Sequence, residues 1–214
     1  APTYTTNGDA WDTNYLGVWH LQGADRLQDS TTNAGHGTAN GTVTGTTNGI
    51  VDGACDFGDG TDYILIADHP RYTFTSNYSV SAWIHADPAT NYEGIVGTYN
   101  GSGWILGLSN GVNRELMFWA NGWRPAGYYM PTNVWKQATF TRNGTNGYFY
   151  VDGGRVKRVT NATNTTDGGA LIIASGGTNW APYKFDGRMD EVQLSRTDRS
   201  SNWIWASCMT MASN

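Results

Sequence analysis

The chain is built from short apolar or alternating runs that are separated by turns rich in glycine and asparagine. Residues 95–99 and 104–109 flank one such turn at 100–103, and a similar turn lies at 143–147. Glycine reaches the positive φ values that tight hairpin turns require. Runs of this kind, recurring about every 8–12 residues, are typical of all-β proteins. The pattern therefore predicts antiparallel strands joined by short turns.

Helices have little support in the sequence. No segment keeps the period of about 3.6 residues that an amphipathic helix shows. Only residues 200–206 could form a short helix, which Ser200 or Ser201 could cap. We therefore expect an all-β, two-sheet antiparallel sandwich with a short C-terminal helix. Residues 1–15 are interpreted as a lead-in segment and residues 16–214 as one domain, a size that single sandwiches commonly reach.

Alternation along the strands predicts which side chains face the core. Val80, Ala82 and Ile84 would point inward, and the residues between them outward. If this strand and three others at 104–109, 116–120 and 136–141 are neighbours, one outer face carries Trp83, His85, Trp119, Gln137 and Thr139. Rings mixed with short polar groups are typical of a face that binds sugars.

The charge balance argues against two classes of partner. The chain has 13 Lys and Arg against 18 Asp and Glu, which gives a net charge of −5. Binding of nucleic acid or of an anionic membrane needs a basic surface, so neither is an expected partner. No apolar run approaches the roughly 20 residues that span a bilayer, so membrane insertion is not expected. The first residues lack the features of a signal peptide, and we expect any export signal to be removed or to lie outside this sequence.

The two cysteines leave their state open. Cys55 and Cys208 cannot make a zinc site alone and show no Cys-x-x-Cys spacing. They could form one disulfide in an oxidising compartment, or they could be two buried thiols. Scarce lysine, together with abundant threonine, asparagine and aromatic residues, favours an exported protein.

Resemblance to a known family extends along nearly the whole chain. The motifs, in order, are GVWHL at 17–21, DSTTN at 29–33, GHGT at 35–38, GACDF at 53–57, DYI at 62–64, YSVSAWI at 78–84, WKQATFT at 135–141, YVDG at 150–153 and FDGRMDEV at 185–192. This set resembles bacterial laminin G-like jelly rolls of the concanavalin A-like lectin/glucanase superfamily. The resemblance implies two curved sheets with a concave face that can hold a glycan. It also implies a secreted or cell-surface location within a larger multidomain polypeptide.

The same resemblance implies a structural calcium ion. Asp29 and Asp190 match positions that approach each other in the family, and Asn33 with backbone carbonyls could complete an oxygen shell. The alternative is that Asp29 forms an Asx-turn and that Asp190 pairs with a backbone amide or an arginine. Asp29, Asn33 and Asp190 are therefore the expected calcium ligands, unless these hydrogen bonds engage the two aspartates instead.

Aromatic and polar residues could together bind a saccharide. Sugars have apolar C–H faces that suit flat rings, and hydroxyl groups that need polar partners at the edges. The predicted ligand-binding residues are Tyr92, Tyr99, Trp104, Trp119, Trp123, Arg124, Tyr128 and His85. Trp123 lies in a turn-like stretch, where a tryptophan has little intrinsic reason to be buried. A lectin-like module that binds a polysaccharide or other glycan is the main hypothesis.

Catalysis has weaker support in the sequence. Glycoside hydrolysis normally needs two carboxylates about 5–9.5 Å apart. The glutamates do not show the alternating spacing of the superfamily's glucanases. If the protein is a glycoside hydrolase or a polysaccharide lyase, its catalytic residues would be Glu93, Glu115 and His85. A protein-adhesion module is the second alternative.

Overall fold

The structure is a computed structural model that describes residues 10–58, 61–89, 91–111, 113–178 and 183–213. Two antiparallel sheets form a sandwich, and one α-helix follows near the C-terminus. The fold class predicted from the sequence is confirmed.

Fifteen strands and one α-helix lie within the described residues. They are β1 (Tyr15–Trp19), β2 (Gly37–Asn40), β3 (Thr44–Val51), β4 (Gly53–Phe57), β5 (Tyr63–Ile66), β6 (Tyr78–Ala86), β7 (Glu93–Gly97), β8 (Ile105–Leu108), β9 (Glu115–Trp119), β10 (Trp123–Tyr129), β11 (Trp135–Asn143), β12 (Asn146–Val151), β13 (Gly154–Val159), β14 (Leu171–Ile173), β15 (Gly187–Ser195) and α1 (Ser201–Ala212). A 3-10 helix at Pro70–Tyr72 follows β5. Strands β3, β4, β10 and β13 are not predicted from the sequence, and they contain glycine, proline or clustered charges, which are depleted in strands.

The two sheets differ in their strand order. The eight-stranded sheet runs β13-β12-β11-β6-β15-β4-β3, and β1 also pairs with β15. The seven-stranded sheet runs β10-β9-β8-β7-β14-β5-β2. Strands β4 and β1 therefore share one edge of β15, since β4 pairs with the first residues of β15 and β1 pairs with its last residues.

Aromatic side chains from both sheets meet in the core. Phe118 of the seven-stranded sheet stacks on Phe140 of the eight-stranded sheet with ring centroids 4.1 Å apart, and Trp104 stacks on Phe118 at 5.9 Å. Such pairs contribute about 0.5–1.5 kcal/mol beyond the burial of their area. Val80 and Ala82 are also fully buried, so the inward-facing set that alternation predicts on β6 is confirmed.

The outer face predicted from alternation is wrong in one respect, because its residues belong to two different sheets. Gln137 lies opposite Trp83 in the pairing of β11 with β6, so these two residues share the outer face of the eight-stranded sheet. Trp119 ends β9 in the seven-stranded sheet. Alternation assigns a side chain to a face of its own strand, but it does not say which sheet that strand joins.

Helix α1 covers part of the outer face of the eight-stranded sheet. Its cap is Ser200, whose side chain accepts a hydrogen bond from the Trp203 amide at 3.2 Å, and the helix is longer than the predicted 200–206. Ile204 is buried, and Trp83 Nε1 lies 3.2 Å from Met211 Sδ. Within the described residues, no helix is long and apolar enough to cross a membrane.

Both cysteines are free and buried. Cys55 lies on β4 and Cys208 on α1. Burial raises the pKa of Cys55 to about 12 and that of Cys208 to about 11. Because the thiolate is the reactive form, both thiols are inert near neutral pH.

Part of the predicted lead-in packs on the sandwich. The rings of Trp11 and Tyr15 are 4.9 Å apart, and Asp12 pairs with Arg199 at 2.9 Å. Residues 1–9 of that segment lie outside the described residues.

Candidate functional site

Two tryptophans and an isoleucine form a row on the outer face of the seven-stranded sheet. Trp123 lies opposite Trp119, and Trp119 lies opposite Ile105. Directly opposed residues of paired strands project to the same face. Since Phe118 projects into the core, its neighbour Trp119 and the rest of this row face outward.

Loop aromatics join this row. The rings of Tyr99 and Trp119 meet edge to face at 4.7 Å, and those of Tyr92 and Trp123 stack at 5.9 Å with an interplanar angle of 14°. Tyr183 meets Tyr92 edge to face at 5.7 Å. We call these five residues the aromatic patch. Trp123 is 38% exposed, and the other four are half-buried.

Tyr183 is a member of the patch that the sequence analysis missed. It lies far along the chain from the predicted ligand-binding aromatics, which end at Tyr128. The Gly94 amide donates to the Tyr183 carbonyl at 3.0 Å, which places this loop residue beside β7. No local sequence signal indicates this pairing, because it depends on the path of the chain after β14.

Glycines allow the loop after β14 to lie close to β7. A Cβ added to Gly94 would lie 1.8 Å from the Gly176 nitrogen, and one added to Gly97 would lie 2.5 Å from the Gly176 carbonyl oxygen. The Tyr99 amide donates to that same carbonyl at 2.9 Å. The close approach fixes Tyr99 relative to the sheet, and with it the ring that contacts Trp119.

Arg124 supports the turn before Trp123. Its guanidinium donates to the carbonyls of Ala120 at 2.7 Å, Gly122 at 2.8 Å and Asn161 at 2.6 Å. These bonds hold the turn that joins β9 to β10 against a neighbouring loop. Arg124 therefore positions the patch, and its guanidinium is committed to backbone carbonyls rather than directed at a ligand.

Two of the predicted ligand-binding aromatics face the interior. Trp104 is fully buried, and its Nε1 donates to the Tyr72 carbonyl at 2.8 Å. Tyr128 is half-buried and packs against the core. The signal for Trp104 was present in the sequence, since it has the same alternation parity as the inward residue Leu106.

Glu93 is one of the predicted catalytic residues, and it has a structural role. It is 1% exposed, forms an ion pair with the buried Arg114, and accepts a hydrogen bond from the Asp186 amide at 3.1 Å. Arg114 also donates to the Asp87 carbonyl, so the pair ties the seven-stranded sheet to segments that flank β6 and β15. Burial raises the pKa of Glu93 to about 7, but both carboxylate oxygens are already engaged.

The other two predicted catalytic residues lie apart from each other. Glu115 on β9 accepts a hydrogen bond from the Gly127 amide at 2.6 Å. His85 projects from the other sheet, where Arg188 Nη2 is 2.9 Å from its Nε2 and the Trp135 ring is 5.5 Å away. The structure therefore does not bring Glu93, Glu115 and His85 into one site, and it separates His85 from the aromatic patch.

Hydrogen-bond donors surround the first of the predicted calcium ligands. The carboxylate of Asp29 accepts hydrogen bonds from the Val18 amide at 3.0 Å, the Thr31 amide at 2.9 Å, the Thr31 hydroxyl at 3.0 Å and the Gly35 amide at 2.9 Å. Asn33 uses its side-chain amide to donate to the Tyr15 carbonyl at 3.0 Å. The four hydrogen-bond donors that point at the Asp29 carboxylate do not fit a bound cation. The bond from the Thr31 amide closes an Asx-turn.

Asp190 does not complete a calcium site with Asp29. Its Oδ2 accepts hydrogen bonds from the amides of Ile50 at 2.8 Å and Val51 at 2.9 Å, which is the backbone pairing named as the alternative. Among the residues that the structure describes, no group of three or more His, Cys, Asp or Glu could hold a metal ion. The residues Asp29, Asn33 and Asp190 do not fit a calcium ion.

Two packed antiparallel sheets with this strand order define a jelly-roll β-sandwich. The laminin G-like family profile of the concanavalin A-like lectin/glucanases superfamily matches residues 58–204. The chain belongs to this family. No curated protein matches the sequence.

Solved structures share the fold at low sequence identity. Domain 4 of AbnA, a GH43 extracellular arabinanase from Geobacillus stearothermophilus, in complex with arabinotriose, superposes with a TM-score of 0.73 at 19% identity, covering 90% of this chain and 97% of that domain. The binding domain of Paraclostridial Mosquitocidal Protein 1 gives 0.73 at 15%, covering 92% and 52%. The binding domain of Botulinum Neurotoxin DC in complex with SialylT gives 0.66 at 15%, covering 93% and 52%. The chain thus spans about half of each toxin binding domain.

Proposed function

We propose that the protein is an extracellular carbohydrate-binding module whose aromatic patch binds a polysaccharide. The observation that carries the proposal is the gathering of five aromatic side chains from β9, β10 and three loop segments on one outer face. Exposed aromatic surfaces on folded proteins mark binding sites. The arabinotriose complex of the similar AbnA domain supports a glycan as the ligand.

The patch provides a surface that suits a sugar ring. Trp123 has the largest exposed surface of the five, and its stacking on Tyr92 holds the ring in one orientation. A side chain that is already held loses little conformational entropy when a ligand binds. The C–H face of a saccharide would lie on these rings, and its hydroxyls would meet polar groups such as the exposed Asn121 in the turn between β9 and β10.

An extracellular, multidomain setting is part of the proposal. The AbnA domain that this chain resembles is one domain of an extracellular enzyme. A binding module of this kind would keep a longer polypeptide close to its polysaccharide. Calcium is left out of the proposal, because the donors around Asp29 do not fit it.

Substitution of Trp123 tests the proposed site. Loss of a central aromatic anchor typically costs more than about 1–2 kcal/mol of binding free energy. Because about 1.4 kcal/mol corresponds to a tenfold change in Kd, we expect Trp123→Ala to weaken binding at least about fivefold. A glycan array first identifies the preferred saccharide. Titration calorimetry, with arabinotriose as the starting ligand, then measures the change in Kd.

Trp205→Ala is the matched control. Trp205 is 57% exposed on α1, which covers the other sheet, so its loss removes an equal ring from the opposite side of the sandwich. The control should bind as the wild type does. If both variants lose binding affinity equally, or if Trp123→Ala binds as the wild type does, the aromatic patch is not the glycan-binding site.

A further inference from the structure

A second feature of the molecule lies beneath α1, on the outer face of the eight-stranded sheet. A cavity there is lined by short polar side chains of the sheet, by Arg199 and by the helix residue Trp203. Thr139 lies opposite Ser81, and Ser81 lies opposite Gln193, so hydroxyl and amide groups of three adjacent strands point into this space. A helix that packs on a sheet usually covers an apolar surface, and part of the surface that this helix covers is polar.

Three buried polar atoms in the cavity have no hydrogen-bond partner among the described residues. They are Gln137 Oε1, Thr139 Oγ1 and Arg199 Nε. Gln137 is 4% exposed and Thr139 is 2% exposed. Buried polar atoms are almost always satisfied in folded proteins, because leaving one without a partner is unfavourable. Three such atoms around one cavity leave hydrogen-bonding capacity for a group that enters it.

The unpartnered atoms define the chemistry of the occupant. Gln137 Oε1 can only accept a hydrogen bond, Arg199 Nε–H can only donate one, and the Thr139 hydroxyl can do both. A group that both donates and accepts satisfies all three, which is the property of a neutral hydroxyl. A cation would lie close to the Arg199 guanidinium, and an anion would leave Gln137 Oε1, as the amide is oriented here, without a donor.

Arg199 is held firmly at the edge of the cavity. Its terminal nitrogens pair with Asp12 at 2.9 and 3.1 Å. Its guanidinium carbon lies 4.2 Å from the Tyr15 ring centroid and 5.0 Å from that of Trp203. These contacts fix the direction of Nε–H, and the 47% exposed Trp203 places an aromatic ring where the cavity reaches the surface.

The size of the cavity limits what it can enclose. The space open to the centre of a water molecule is about 20 Å³. A cavity needs about 10–15 Å³ by this measure to hold one water. One hydroxyl group therefore fits inside, and a whole sugar ring does not.

We propose that this cavity, the sub-helix pocket, binds a single neutral hydroxyl group through Gln137, Thr139 and Arg199. The hydroxyl can come from an ordered water or from one substituent of a sugar whose ring rests on Trp203 outside the pocket. The pocket and the aromatic patch lie on opposite sheets, so this proposal does not depend on the proposed function.

The experiment has two arms on the full chain. In the first, a high-resolution crystal structure of the wild type is searched for density within hydrogen-bond distance of Gln137 Oε1 and Thr139 Oγ1. In the second, saturation-transfer NMR with L-arabinose and with glycerol is recorded for the wild type, Thr139→Val and Trp203→Ala. Thr141→Val is the matched control, because it removes a hydroxyl from the same strand that bonds Tyr150 instead.

Each outcome decides the proposal. Saturation transfer to arabinose or glycerol that is lost in Thr139→Val and kept in Thr141→Val supports a sugar or polyol hydroxyl in the pocket. If transfer to arabinose is also lost in Trp203→Ala, the sugar ring rests on Trp203 at the surface. Absence of transfer with a single water in the density supports the water. An empty pocket, or one in which the three atoms bond each other, overturns the proposal. Circular dichroism and thermal melting of Thr139→Val that match those of the wild type show that the variant is folded.

Discussion

Asp190 makes the stability of this protein depend on pH in an unusual direction. The residue is fully buried on β15, and burial raises the pKa of its carboxyl from 3.8 to about 7. Oδ2 accepts two amide hydrogen bonds, from Ile50 and Val51, whereas Oδ1 has no hydrogen-bond partner among the described residues. Desolvation of the charged form therefore outweighs its hydrogen bonds.

The sign of the effect follows from proton linkage. Since the folded-state pKa of Asp190 lies above the unfolded value, the folded protein binds this proton more tightly than the unfolded chain does. Its stabilising contribution is complete below about pH 4 and is lost as the pH rises through about 7. A separation of about three pH units corresponds to about 4 kcal/mol of unfolding free energy. Burial also raises the pKa of Glu93 to about 7, which adds a slope of the same sign.

Asp190→Asn isolates the contribution of this carboxyl. An asparagine keeps an oxygen that can accept the two amide hydrogen bonds and has no group that titrates in this pH range. We expect the free energy of unfolding of the wild type to fall relative to that of the variant, by up to about 4 kcal/mol, between about pH 4 and pH 7.5. Urea denaturation followed by the fluorescence of the 10 tryptophans measures both curves.

The exposed Asp68→Asn serves as the matched substitution, and it should keep the wild-type slope. Parallel curves for the wild type and Asp190→Asn would refute the reasoning. They would show that the buried carboxylate ionises in the fold as easily as in the unfolded chain.

Three further substitutions test how the fold is held together. Gly94→Ala places a Cβ 1.8 Å from the Gly176 nitrogen, so we expect a loss of about 1–3 kcal/mol together with weaker glycan binding; unchanged thermal melting would contradict the close packing of this loop. Ser200→Ala removes the α1 cap and should cost about 1 kcal/mol by chemical denaturation, and an unchanged midpoint would show that the helix does not need the cap. Phe118→Ala opens the aromatic core and should cost about 3–5 kcal/mol, whereas a loss below about 1 kcal/mol would mean that the two sheets repack around it.

Local regularities in the sequence predicted much of the fold. Alternation placed Val80 and Ala82 in the core, and both are fully buried. The turn at 143–147 predicted the hairpin of β11 and β12, where Asn143 pairs with Asn146. These predictions succeed because face parity and turn conformation depend on neighbouring residues alone.

The candidate site was only partly predictable. Tyr92, Tyr99, Trp119 and Trp123 come together as expected of a cluster. Tyr183 joins them because the chain after β14 returns beside β7, and no neighbouring residue signals that path. The sub-helix pocket likewise requires α1 to lie on a sheet face that the sequence alone left open.

The sequence by itself determined that this chain forms strands and turns, and which side of a strand such as β6 is apolar. The tertiary structure decided that Trp83 and Trp119 lie on opposite sides of the sandwich and that a helix covers the first of them. The physical reason is one of range. Side-chain direction is set by the dihedral angles of a single strand, but sheet membership depends on which strand edges pair to give the lowest free energy for the whole chain.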